Sequence, residues 1–159
     1  MLKGKQRKAI LAQVKQQMYE NGSLQNKVDE RPFNSLQELY LELNEELFDN
    51  ELPIELEVVF SFDLNKGRTK STVYGKCYYS STGISKRGHR KDCKAIKIEI
   101  QPGMSIAETR KTLVHEMCHA YCFDKFSEVG HGRQFWIKMR KCNYPRGHEL
   151  PSQRDKWSR

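Results

Sequence analysis

Residues 115–119 read His115-Glu116-Met117-Cys118-His119, and this run constrains the chain more than any other. On an α-helix, positions i and i+4 lie only about 40° apart around the axis and one turn along it. His115 and His119 therefore point the same way and can share one metal ion, and H-E-x-x-H is the spacing of zinc sites that work on water. Glu116 stands about 100° around from His115, beside the ion rather than on it. A general base belongs there, within reach of a water molecule that the metal polarises.

The flanking sequence supports a helix. Ser105-Ile106-Ala107-Glu108 has the S-x-x-E form of a capping box, and no Pro or Gly follows as far as Asp124. Leu113, Val114, Met117, Ala120 and Tyr121 recur at spacings of three and four, which predicts a buried stripe. Two histidines leave a catalytic zinc short of a ligand, since such sites have three protein ligands and one open position. The H-E-x-x-H-x-x-G-x-x-H arrangement would place the third at residue 125, which is Lys125, so that arrangement is excluded. The best candidate is His131, between Gly130 and Gly132, where the backbone can turn tightly. Phe135 and Trp136 then open a second helical stripe. The rivals are weaker. Glu128 and Asp124 read as solvated acids at a helix end, Cys118 and Cys122 as small buried residues, His148 as part of a polar tail, and His89 as a surface residue.

A chain of 159 residues suits one domain with a modest core. It carries no stretch near the ~20 apolar residues of a membrane span and no secretory apolar segment. Its five cysteines form no C-x-x-C pair, so free thiols in a reducing compartment, cytoplasmic or nuclear rather than secreted, are expected. The net charge of +8 is uneven. Residues 33–65 hold nine acids and no Lys or Arg, whereas residues 66–97 hold ten Lys or Arg against Asp92 alone. Residues 133–159 hold eight against Glu149 and Asp155. The basic loop, with Lys86, Arg87, Arg90 and Lys91 and the aromatics Tyr74, Tyr78 and Tyr79 nearby, is compatible with nucleic acid, which needs cations for phosphates and rings for bases. A solubilising surface is the plain alternative.

Along the chain, residues 1–32 read as a basic helical arm and linker. Ile10, Leu11, Val14 and Met18 keep helical spacing up to Asn21-Gly22. Residues 33–145 read as the domain and 146–159 as a basic tail. Leu36, Leu39, Leu43 and Leu47 predict a helix over 35–48. Strands are expected over 54–60, 72–79 and 95–100, the last alternating with Ile96, Ile98 and Ile100 inward. Residues 80–94 read as a polar basic loop or flap, and a last helix spans about 132–142. The order of helix, three strands, metal helix and helix predicts an α+β fold, with a small, mainly antiparallel sheet packed on the metal helix.

Thr112-Leu113-Val114-His115-Glu116-Met117-Cys118-His119-Ala120, followed by Gly130-His131-Gly132-Arg133-Gln134-Phe135, resembles the core of the SprT-like metalloproteases. The segment from Leu36 to Leu52-Pro53 is similar to that family's opening helix and its F-x-x-x-L-P exit. The match runs over roughly 35–143, and H-G-x-x-F, twelve residues after His119, is its specific part. The resemblance implies a zincin-like fold, one Zn²⁺ on His115, His119 and His131, Glu116 as catalytic base, and cleavage of a protein substrate. Spartan-type relatives cleave proteins crosslinked to DNA and need DNA for activity, so DNA is an expected partner. A C-terminal zinc ribbon, common in bacterial members, is not expected here. A different class of function keeps the zinc but makes it structural, in a nucleic-acid-binding module closed by Cys122, Asp124 or His148. A third keeps the hydrolase and exchanges the substrate for a cell-wall peptide.

Overall fold

The computed structural model describes residues 29–144, together with 6, 8–10 and 13. Two compact units are distinguished, Met1–Glu30 and Arg31–Arg159, and the fold that follows is that of the second. The greater part of the expected arm helix, and the tail from 146 on, lie outside the described residues.

Helix α1 spans Leu36–Phe48, helix α2 Ile106–Phe126 and helix α3 Arg133–Lys141. Five strands lie between α1 and α2: β1 (Glu57–Phe60), β2 (Gly75–Ser80), β3 (Gly83–Ile84), β4 (Arg90–Lys91) and β5 (Lys94–Ile100). The fold is α+β, with a three-stranded sheet in the order β1-β5-β2 packed against α2. One ladder, β2–β5, is antiparallel, and the other, β1–β5, is parallel. The sheet is therefore mixed, because β5 inserts between two strands that precede it. The segment expected as a loop over 80–94 holds a small hairpin of its own, β3 against β4.

Local chemistry explains the helix starts. Ser35 Oγ accepts the Glu38 N–H and Ser105 Oγ accepts the Glu108 N–H, so each Ser satisfies one of the orphan donors of a first turn. Most residues of the predicted stripes are buried, with Leu47 and Tyr121 partly so: Leu36, Leu39 and Leu43 from α1 join Leu113, Val114, Met117 and Ala120 from α2, with Val58, Ile98 and Ile100 from the sheet. Each large side chain so placed contributes roughly 1.5–3 kcal/mol.

One strand expectation is corrected. Ile96 is 53% exposed, while Ile98 and Ile100 are fully buried. The register shifts between Tyr78, which pairs with Lys97, and Tyr79, which pairs with Ala95. Ile96 is the extra residue of a β-bulge, and the bulge turns Ala95 inward in its place. Asp124 is likewise not a solvated acid, since its Oδ1 accepts the Ala95 N–H at 2.9 Å. Arg110 carries no sequence mark of burial, yet it is 1% exposed. Its Nε donates to the Arg31 carbonyl, and its guanidinium faces Glu42 of α1.

Helix α1 also holds the chain that leads into β1. Gln37 bonds both the Leu56 carbonyl and the Val58 N–H, and Tyr40 Oη donates to the Pro53 carbonyl. Asn44, 1% exposed, makes two bonds to one residue: Nδ2 to the Leu52 carbonyl and Oδ1 from the Leu52 N–H. No helix among the described residues is long and apolar enough to cross a membrane.

Replacing Asn44 with Ala strands both backbone groups of Leu52, at about 1–3 kcal/mol each. The expected loss is about 3 kcal/mol, a fall of roughly 10 °C in the melting temperature. Thermal denaturation of N44A checks this, and an unchanged midpoint would remove the clamp from the account of stability.

Candidate metal centre and active site

Helix α2 carries His115 and His119 on adjacent turns of one face, as their spacing requires. The chain leaves α2 at Ser127, which takes a left-handed conformation (φ 50°). It turns again at Gly130 (φ 86°), where an L side chain would be strained. His131 follows and returns to α2. Its Nε2 lies 3.0 Å from Nε2 of His119 and 3.2 Å from Nε2 of His115. The three side chains form the one group of potential ligands found among the described residues, all ligand atoms within 4.8 Å of one another.

These distances fit a shared ion. Tetrahedral ligands about 2.0–2.1 Å from zinc sit about 3.3 Å apart. Three lone pairs so close together are otherwise poorly placed. Burial, and then the neighbouring His131, push the His119 imidazole down to about 3. It is therefore neutral at physiological pH, the form that binds metal. The ring is half-buried beside the cavity and stacks on Phe135 and Phe123.

Phe135, at the start of α3, is fully buried and touches all three imidazoles, with centroids 4.9, 4.5 and 4.6 Å from His115, His119 and His131. His119 lies stacked between Phe135 and Phe123. Its Nδ1 is buried without a hydrogen-bond partner among the described residues. Ligating histidines usually donate that N–H to a carboxylate or carbonyl. Here aromatic packing orients the ring instead.

Glu116 is 5% exposed and lines, with the three histidines, a cavity of about 260 Å³. The opposite wall is residues 72–77 with Tyr79, from β2 and the irregular segment before it. Strand β2 is an edge of the sheet, so the metal cluster faces a strand whose outer side has no partner strand among the described residues. Gly75 opens β2 directly against the catalytic helix. A Cβ there would lie 2.9 Å from Glu116 Cγ and 2.9 Å from Thr112 Cγ2. Two residues further along, Cys77 also lines the cavity, and burial, followed by the charges of Glu116 and Asp124, pushes its thiol well up. It stays protonated and outside the ligand group.

The other residues singled out from the sequence lie elsewhere. Lys86, Arg87, Arg90 and Lys91 are exposed on the β3–β4 hairpin and do not line the cavity. Cys118 and Cys122 are buried in the core, and neither they nor Asp124 join the ligand group. His89 is exposed. His148 lies outside the described residues. Glu128 is not a solvated acid: its carboxylate accepts the N–H groups of Gln134 and Phe135 at the start of α3. Sequence reasoning missed Gly75 and the role of Glu128. An isolated glycine inside the β-prone stretch 72–79 was the available signal for the first. An acid a few residues before a helix that lacks a Ser, Thr, Asp or Asn cap was the signal for the second.

Comparison with known proteins agrees with this geometry. A family model described as the SprT-like family matches residues 36–155. Among curated proteins no match is found.

Gly75→Ala is expected to push the Glu116 carboxylate aside while the β-strand backbone accommodates the new residue. A displacement of ångström size at a reacting group costs on the order of 10²-fold in rate. Hydrolytic turnover of G75A, with metal content measured in parallel, checks this. Full activity would show that Glu116 needs no such clearance.

Proposed function

We propose that this chain, which belongs to the SprT-like family, is a zinc-dependent endopeptidase acting on proteins associated with or crosslinked to DNA. The observation that carries the protease reading is the convergence of three imidazole nitrogens, with an adjacent buried carboxylate, on one cavity beside an edge strand. His115, His119 and His131 would hold the ion. Bound there, zinc supplies Lewis acidity and brings the pKa of water from 15.7 towards about 7.

The remaining steps fall to the chain itself. Glu116 takes a proton from the attacking water and returns it to the departing amine. Its burial keeps bulk water from competing for that proton. The outer side of β2 offers backbone N–H and C=O groups to an extended peptide. Strand addition would set the scissile bond across the cavity through main-chain bonds that do not depend on sequence. Such a mode suits a protease with broad specificity.

A three-ligand cluster that faces a cavity favours the catalytic reading over a structural zinc site, which a fourth protein ligand would close. The DNA part of the reading is supported by the hairpin, where Lys86, Arg87, Arg90 and Lys91 stand exposed together. Cations so placed can neutralise phosphates without reading base sequence. The same reading puts the protein in the cytoplasm or on nucleoid or nuclear DNA.

Two experiments test it. In the zinc-loaded protein, Glu116→Gln is expected to retain the metal and lose roughly 10²–10⁴-fold in cleavage of an unfolded protein substrate. Cleavage at the normal rate would remove Glu116 from the mechanism. Single-stranded DNA is expected to raise the rate of the unaltered protein. Replacing Lys86, Arg87, Arg90 and Lys91 together by Ala should abolish that stimulation and leave the DNA-free rate intact. A rate indifferent to DNA at low salt would leave a general protease.

A further inference from the structure

The metal ligands come from two elements, and one side chain spans the junction between them. Two imidazoles are fixed on α2, whereas His131 lies in the turn between α2 and α3 and can meet them only if that turn has a fixed shape. Glu128 ties down both ends of it. Its backbone N–H bonds the Cys122 carbonyl of α2, beside the Ser127 N–H on the Phe123 carbonyl. Its carboxylate reaches forward across His131 to the first turn of α3, with Oε1 3.0 Å from the Phe135 nitrogen and Oε2 3.4 Å from that of Gln134.

The N-cap of α3, Gly132, makes no side-chain capping bond, so Glu128 takes that part from four residues upstream. A negative group at this end of a helix is also favoured by the helix dipole. Gly132 is shaped to receive it: a Cβ there would lie 2.8 Å from Glu128 Cδ and 2.8 Å from Oε1. The clip also fixes Phe135, whose own N–H it binds and whose ring packs on all three imidazoles.

We infer that Glu128 is a positioning residue of the metal centre: by bonding α2 through its backbone and α3 through its carboxylate, it holds His131 and Phe135 where the ligand triad closes. The inference rests on the metal reading given above. Glu128 touches neither metal nor substrate in this role, and its effect passes through His131 and Phe135.

The test is a cobalt(II) titration of the chelator-treated full chain, with thermal unfolding of the metal-free protein alongside. Glu128→Ala is expected to weaken cobalt binding by roughly 10–100-fold, the usual effect of losing a residue that supports a ligand. Glu128→Gln keeps one acceptor oxygen, enough for the shorter bond to Phe135 but not for both, and should fall between the unaltered protein and Glu128→Ala on that scale. Gly132→Ala leaves the carboxylate chemically intact but displaces it, and should weaken cobalt as Glu128→Ala does; it decides the matter if Glu128→Ala fails to fold. Ser35→Ala removes the cap of α1, away from the site, and should lower the melting temperature without changing cobalt affinity. Cobalt affinity in Glu128→Ala equal to that of the unaltered protein would overturn the inference. So would an equal loss in Ser35→Ala, or a Gln variant no better than the Ala variant. Unchanged binding in His131→Ala would instead sink the metal reading itself, so the two failures are distinguishable.

Discussion

Everything that this structure arranges depends on bringing three imidazole nitrogens within about one bond-sharing distance of each other. Two of them cost the fold little, because a helix sets i and i+4 on one face without tertiary help. The third must come from outside the helix, and a chain that doubles back needs special backbone: a left-handed Ser127, a left-handed Gly130, and an immediate helix start at Gly132. The packing beneath the cluster answers the same demand. Phe135 reaches all three rings, and Phe123 closes the far side of His119. Aromatic contact does here what hydrogen bonds do at many metal sites, and it suits a ligand that must remain neutral to bind.

The rest of the fold serves to hold α2 still and to present a strand to it. The sheet packs Ile98 and Ile100 against α2, and α1 joins the same core through Leu36, Leu39 and Leu43. Arg110 ties α2 to the chain just before α1. Glu42 beside it offsets the cost of a buried guanidinium, which would be large if the charge had no partner. Strand β2 then runs past the metal cluster with Gly75, Cys77 and Tyr79 along its inner wall. The missing side chain at Gly75 is the space in which Glu116 sits. Cavity, base and the strand edge beside them are thus consequences of one close approach between a strand and a helix.

Where sequence reasoning failed, long-range contacts had decided the matter. Ile96 belongs to a clean alternation, so pattern alone turns it inward, but a bulge opposite Tyr78 and Tyr79 breaks the period and exposes it. Asp124 and Glu128 look like solvated acids at a helix end. Each instead satisfies backbone N–H groups on another element, Ala95 for the first and Gln134 and Phe135 for the second. The mainly antiparallel sheet expected from the element order is present in the β2–β5 ladder, while β5 also pairs parallel with β1 after an interval filled by β2, β3 and β4. The hairpin inside 80–94 was read only as a basic loop, because two-residue strands carry no period to detect.

The sequence by itself determined what depends on neighbours along the chain. The capped α2, the shared face of His115 and His119, the place of Glu116 beside them, and the buried stripes of α1 and α2 all follow from a repeat of 3.6 residues and from Ser side chains that satisfy first-turn donors. Only the tertiary structure decided that His131 meets the other two, that Gly75 gives Glu116 its room, and that the strand beside the cavity, β2, is an edge strand. Those relations join residues a dozen to forty positions apart, whose meeting depends on how turns close and which faces pack, and no local spacing in the chain records that.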